Sequence, residues 1–174
     1  MNKFKVQNGF TLIETLIYLA IIGTVMTSFL YFNMSIFDYR NKSYAAGEVQ
    51  ANERMAISLI SQKIRSAKDV NIASSTFNTD PGVLSLVMDD ANKNPTIFSL
   101  DQDNRVLQIT EGAGATTTIT SKNVKITNLI FTNLTLASST KNIKINMTID
   151  YNNVNQDVKF NYSDDLETAI SLRR

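Results

Sequence analysis

The chain of 174 residues contains no cysteine and no histidine, and only 2 prolines and 6 glycines. Without cysteine there is no disulfide framework, no thiol nucleophile and no thiolate metal site. Without histidine, the usual catalytic base and the commonest zinc ligand are both missing. No glycine-rich phosphate loop occurs, so the composition argues against an enzyme and calls for no metal or cofactor. Charge of one sign is lacking too: 17 basic and 16 acidic side chains leave a formal net charge of +1, too weak a field to gather nucleic acid. Proline is absent between Phe10 and Lys68, so nothing in that stretch forces a helix to stop.

What the chain does have lies at its start. A short basic segment with Lys3 and Lys5 ends on Gly9, and residues 10–32 carry no charge except Glu14. About 20 apolar residues in a helix cross a hydrocarbon core of roughly 30 Å, so this run predicts a membrane span. The positive-inside rule holds the N-terminus in the cytoplasm and sends the remainder outward. Tyr31 and Phe32, better than Tyr18, suit interfacial anchors at the outer end. An ordinary secretory signal has a shorter apolar run with a small-residue cleavage site close behind it; here the best such site, Ser43-Tyr44-Ala45, lies well past the end. A plain anchor explains the span but not the order of residues around Gly9.

Glu14 is the anomaly. A carboxylate at the centre of a membrane helix costs about 2.5 kcal/mol or more and needs a partner, yet no Lys, Arg or His occurs within residues 10–32. Cutting the chain after Gly9 would create one, a positive α-ammonium on Phe10 four residues from Glu14. Such a pair can close within one chain or, better, between staggered neighbours in a helical bundle.

Gly9-Phe10-Thr11-Leu12-Ile13-Glu14-Thr15-Leu16 resembles the class III prepilin leader of type IV pilins and of the pseudopilins of type II secretion and competence. The resemblance implies that a membrane prepilin peptidase cuts between Gly9 and Phe10 and N-methylates Phe10. It further implies that Glu14 is the assembly residue, pairing with an N-terminal amine in a filament. Its expected partners are the peptidase, other pilin or pseudopilin subunits, an inner-membrane assembly platform and membrane lipid, with no nucleic acid. Loss of Lys3 and Lys5 from the 17 basic residues would leave 15 against 16 acidic ones. The absence of cysteine departs from the disulfide-closed C-terminal region of many major pilins. The absence of proline from the membrane half of the helix favours a minor subunit.

Four segments are expected: a cleaved leader over 1–9, a transmembrane and assembly helix over 10–32, an amphipathic continuation over 33–68 and a β-rich head over 69–174. In the third segment Val49, Ala56, Leu59, Ile60, Ile64 and Ala67 recur at three- and four-residue steps, which predicts one apolar stripe. Gly23 and Gly47 are the weak points, each costing about 1 kcal/mol relative to alanine. Beyond the Asp80-Pro81-Gly82 turn, strands are predicted over 83–88, 96–100, 106–110, 116–120, 124–136, 142–151 and 158–162, with a further one over 166–172. Ile143, Ile145, Met147 and Ile149 alternate with Lys144, Asn146, Thr148 and Asp150, the mark of one buried and one wet face. Short links favour antiparallel pairing. The fold class expected is therefore α+β, a long N-terminal helix packed on an antiparallel β-rich head.

That order of elements matches the pilin fold and is similar to J-type minor pseudopilins and W-type minor pilins. The clustered carboxylates Asp89-Asp90, Asp101/Asp103 and Asp164-Asp165 lack the spacing of a calcium loop and read as solvated turns. Two functions follow. The first is a structural subunit, of minor type, in a type IV pilus or secretion pseudopilus. The second is a membrane-tethered extracytoplasmic binding module; its head has 12 acidic and 9 basic side chains from Asp69 onward, a balance that disfavours DNA but not protein or glycan.

Overall fold

A computed structural model describes residues 9–135 and 141–173. The leader expected over 1–9 lies outside these residues except for Gly9, as does the end of the strand expected over 124–136. The architecture is α+β and pilin-like: one long helix, α1 (Leu12–Ser66), followed by antiparallel sheets. The chain resolves into two compact units, the first ending at Arg40 and the second beginning at Asn41.

In the first unit α1 has no tertiary cover, and it is the one helix among the described residues long and apolar enough to cross a membrane. Its hydroxyls turn inward on the helix itself. Thr15 donates to the Leu12 carbonyl at 2.8 Å, Thr24 to Ile21 at 2.8 Å, Thr27 to Gly23 at 2.8 Å and Ser28 to Thr24 at 3.0 Å. Such back-bonding satisfies polar groups where no water is at hand.

In the second unit the stripe appears as Ala45, Val49, Asn52, Ala56, Ile60 and Ile64, all buried, at steps of three and four. Leu59, expected in the stripe, is only half-buried, whereas Asn52 lies within it. The amide earns its place by bonding: its Oδ1 accepts from the Ser121 N–H at 2.7 Å and its Nδ2 donates to the Glu48 carbonyl at 2.8 Å. The helix stops at Ser66 rather than at Lys68. There the Ala67 N–H turns back to the Ile64 carbonyl, and the Lys68 N–H is taken by the Val87 carbonyl at 2.8 Å, so the sheet claims the chain before another turn forms.

The first sheet is a meander, β1 (Asp69–Val70), β2 (Leu84–Val87), β3 (Thr96–Asp101), β4 (Val106–Glu111) and β5 (Thr117–Thr118), in sequence order. The second is β6 (Val124–Asn133), β7 (Asn142–Tyr151) and β8 (Ser163–Ser171). Every pair is antiparallel. Ile143, Ile145, Met147 and Ile149 are fully buried, as the alternation predicts, and they join one apolar cluster with Ile60 and Ile64 of the helix and Leu84, Phe98 and Leu107 of the first sheet. Burial of each such side chain contributes about 1.5–3 kcal/mol. On the opposite face Lys144 pairs with Glu167 at 2.7 Å.

Two strand predictions need correction, and one short strand was not predicted. Residues 158–162 form no strand: Val158–Phe160 is a single 3-10 turn, with the Asp157 side chain accepting from the Lys159 N–H at 3.0 Å. Asn153 holds that bend by donating to the Asp157 carbonyl at 2.6 Å and to Asn161 Oδ1 at 2.7 Å, so pairing resumes only at Ser163. The strand expected over 116–120 shrinks to Thr117–Thr118, because the Thr120 hydroxyl replaces a backbone acceptor for the Leu107 N–H at 3.0 Å. The two-residue β1, paired with β2, is too short to show any alternation in sequence. The two sheets are stitched by the loop before β2. Asn78 and Gly82 donate to the carbonyls of Phe131 and Leu129 at 2.8 and 2.7 Å, while Asp80 Oδ1 accepts from the Leu129 N–H at 2.8 Å.

Candidate functional site

The N-terminal constellation begins outside the helix. Gly9, Phe10 and Thr11 precede α1 and are exposed, and a Cβ placed on Gly9 would meet nothing within 4 Å. The Gly9-Phe10 peptide bond is therefore open to approach. Thr11 then starts the helix: its Oγ1 accepts from the Glu14 N–H at 3.3 Å, and its carbonyl from the Thr15 N–H at 3.2 Å. Thr11-Leu12-Ile13-Glu14 thus has the sequence of a capping box. A carboxylate in the first turn also complements the positive end of the helix dipole.

The Glu14 side chain does not reach back as a capping box would have it. It points forward, and its Oε1 accepts from the Tyr18 hydroxyl at 3.2 Å. Phe10 and Tyr18 meet edge to face, with ring centroids 6.2 Å apart at an interplanar angle of 74°. Glu14 and Tyr18, four residues apart, share one face of α1, and Phe10, just before the helix, reaches the Tyr18 ring. Across residues 10–32 every residue is exposed except Glu14, which is half-buried. Reading the sequence for cations missed Tyr18. The signal was present, a hydroxyl donor four residues beyond a carboxylate.

The head offers less. Asp90 and Asp101 serve turns: Asp90 Oδ1 accepts from the Asn92 N–H at 3.0 Å, and Asp101 accepts from the Asp103 N–H at 3.0 Å and from Asn104 Nδ2 at 2.9 Å. The bonds from Asn104 and Asp103 hold the Asp101 carboxyl below its ordinary value. Glu53 on the helix is pushed the other way, first by partial burial and then by the neighbouring Asp164 carboxylate. Among the described residues no group of three or more metal-ligating side chains converges. A shallow hollow of about 530 Å³ opens beside Lys63, Lys93 and Glu111, but Lys63 and Glu111 are bonded to each other there. That leaves little unspent charge for a ligand.

Over residues 4–30 the chain matches the family described as the prokaryotic N-terminal methylation motif. No curated protein and no solved structure matches it. The match covers residues 4–9 of the expected leader and most of the exposed apolar stretch. Together they support a class III prepilin leader on a type IV pilin-like, membrane-anchored protein.

Proposed function

We propose that the chain is a minor structural subunit of a type IV pilus or of a type II secretion-like pseudopilus. A prepilin peptidase cuts between Gly9 and Phe10 and methylates the new amine; α1 waits in the membrane with the head on the extracytoplasmic side, then packs beside the helices of other subunits. One observation carries the reading: Glu14 is the single carboxylate of residues 10–32, an apolar stretch whose other residues are all exposed, and it lies four residues past an accessible Gly-Phe bond. The methylation-motif match supports the processing step. A β head of some size and a membrane half without proline support the minor role. The chemistry of the chain is assembly, with no reaction assigned to the head.

In this scheme the amine of a neighbouring Phe10 neutralises Glu14 away from water. Removing one partner of such a pair costs roughly 3–5 kcal/mol, because the other charge is left bare. At about 1.4 kcal/mol per tenfold, Glu14→Leu should lower incorporation by two orders of magnitude or more. Quantitative immunoblotting of sheared filaments measures this, with intact mass showing the leader still removed. Normal incorporation of Glu14→Leu would defeat the proposal. Gly9→Leu should fail earlier, leaving the precursor mass.

A further inference from the structure

Before any neighbour arrives, a carboxylate in hydrocarbon still needs a donor. Residues 10–32 hold no cation, and among the described residues the side chain that donates to Glu14 is Tyr18, at 3.2 Å. The hydroxyls of Thr15, Thr24, Thr27 and Ser28 are all committed to helix carbonyls. Tyr18 alone turns its hydroxyl to a side chain in this stretch. Its ring is set edge-on against Phe10, and Glu14 is the one residue between 10 and 32 that is not fully exposed.

We propose that Tyr18 is a positioning residue for Glu14, the neutral partner that holds its carboxyl group in the lipid-embedded, unassembled chain. The phenol supplies one hydrogen bond, and the Phe10 ring packs edge-on against the ring that carries it. One donor leaves most of a carboxylate's acceptor sites open, so the arrangement steadies Glu14 without saturating it. A neighbour's ammonium, with charge as well as donors, then adds to or displaces the phenol. A hydrogen bond to a charged group outweighs one between neutral groups, which sets the direction of the exchange. The inference rests on the assembly reading of Glu14 and names what occupies that residue beforehand.

The test uses the full chain with its leader attached, made in a host without prepilin peptidase, labelled with ¹³C-glutamate and reconstituted in phosphatidylcholine vesicles. The infrared difference spectrum against Glu14→Gln isolates the Glu14 carboxyl band. Tyr18→Phe keeps the ring and removes the donor, and the band should shift; Tyr31→Phe, elsewhere on the same helix, should leave it in place. Helicity by circular dichroism checks that each variant is inserted and folded, and Tyr18→Leu, which also lacks a donor, replaces Tyr18→Phe should that variant misfold. A band that stays put when the phenol is removed overturns the proposal, and so does an equal shift in Tyr31→Phe. Because the chain here is uncleaved and unassembled, this result is independent of the filament assay. Glu14→Leu entering filaments normally would sink the assembly reading while leaving the band to report on Tyr18.

Discussion

Replacing Gly112 with alanine tests whether the first sheet closes as described. Gly112 follows β4 directly, has φ of +55° and donates its N–H to the Pro95 carbonyl at 2.8 Å. A Cβ on it would fall onto the Asn92 carbonyl oxygen and 2.9 Å from the carbonyl carbon, in the 3-10 turn Ala91–Lys93. Two costs add. An L-residue in the left-handed region costs roughly 1–2 kcal/mol, and forcing backbone apart to admit a methyl costs about 1–3 kcal/mol. A loss of about 3 kcal/mol lowers the melting midpoint of a unit this size by roughly 10 °C. The assay is the thermal loss of near-ultraviolet tyrosine dichroism for the full chain in detergent micelles, which follows Tyr44, Tyr151 and Tyr162 of the second unit. Gly47→Ala is the opposed control. Its Cβ would meet nothing within 4 Å in α1, so it should stabilise by about 0.5–1 kcal/mol. If Gly112→Ala melts with the parent, the 91–93 and 111–114 turns do not abut as described and the reasoning fails.

Glu53→Gln should raise the melting midpoint at pH 7 and change it little at pH 3. The Glu53 carboxyl is raised above 4.5, so its share of stability is complete below that value and drains away as pH rises through the raised one. Partial exposure keeps the gain near or below about 0.5 kcal/mol, and melting profiles across pH would show whether the curves diverge upward. Asn52→Leu removes the acceptor for the Ser121 N–H and should cost about 1–3 kcal/mol, measured by denaturant unfolding; no loss would mean that water replaces the amide. Phe131→Ala empties a fully buried site in the shared core and should cost about 3–5 kcal/mol, enough to abolish the near-ultraviolet signal at 37 °C if the head is marginal.

The period of apolar residues revealed what depends on burial alone. The four isoleucine and methionine positions of β7 were readable because an alternating strand has no other use for that pattern, and the helix stripe was readable for the same reason. Asn52 was hidden, since a polar residue on an apolar face declares itself only once its partner, 69 residues away, is known. The 158–162 stretch misled because Val158, Phe160 and Tyr162 alternate, while the deciding interactions are the side-chain bonds of Asn153 and Asp157 across the bend. Gly9, Phe10 and Glu14 stood out because their meaning lies in the order of residues. Tyr18 did not, because a search for charge passes over a neutral donor.

In lipid, two apolar helices gain nothing from a hydrophobic effect between them, and their association depends on packing and on directional polar contacts. The first unit has disposed of nearly all its polar groups internally, with hydroxyls on helix carbonyls and backbone amides on the helix ladder. Such a surface fixes neither register nor partner. Glu14 is the exception: it accepts hydrogen bonds without donating them, and the phenol beside it supplies a single one. The segment therefore retains one unspent, strongly directional demand, for a cation at the depth of its first turn. Leader cleavage would create that cation at the same end of every copy, so one proteolytic cut would supply both the charge and the axial stagger at which two helices can meet. A lysine elsewhere in the span would satisfy Glu14 just as well within one chain and would remove that dependence on processing. In the proposed scheme, the absence of any cation from residues 10–32 would tie assembly to the cut.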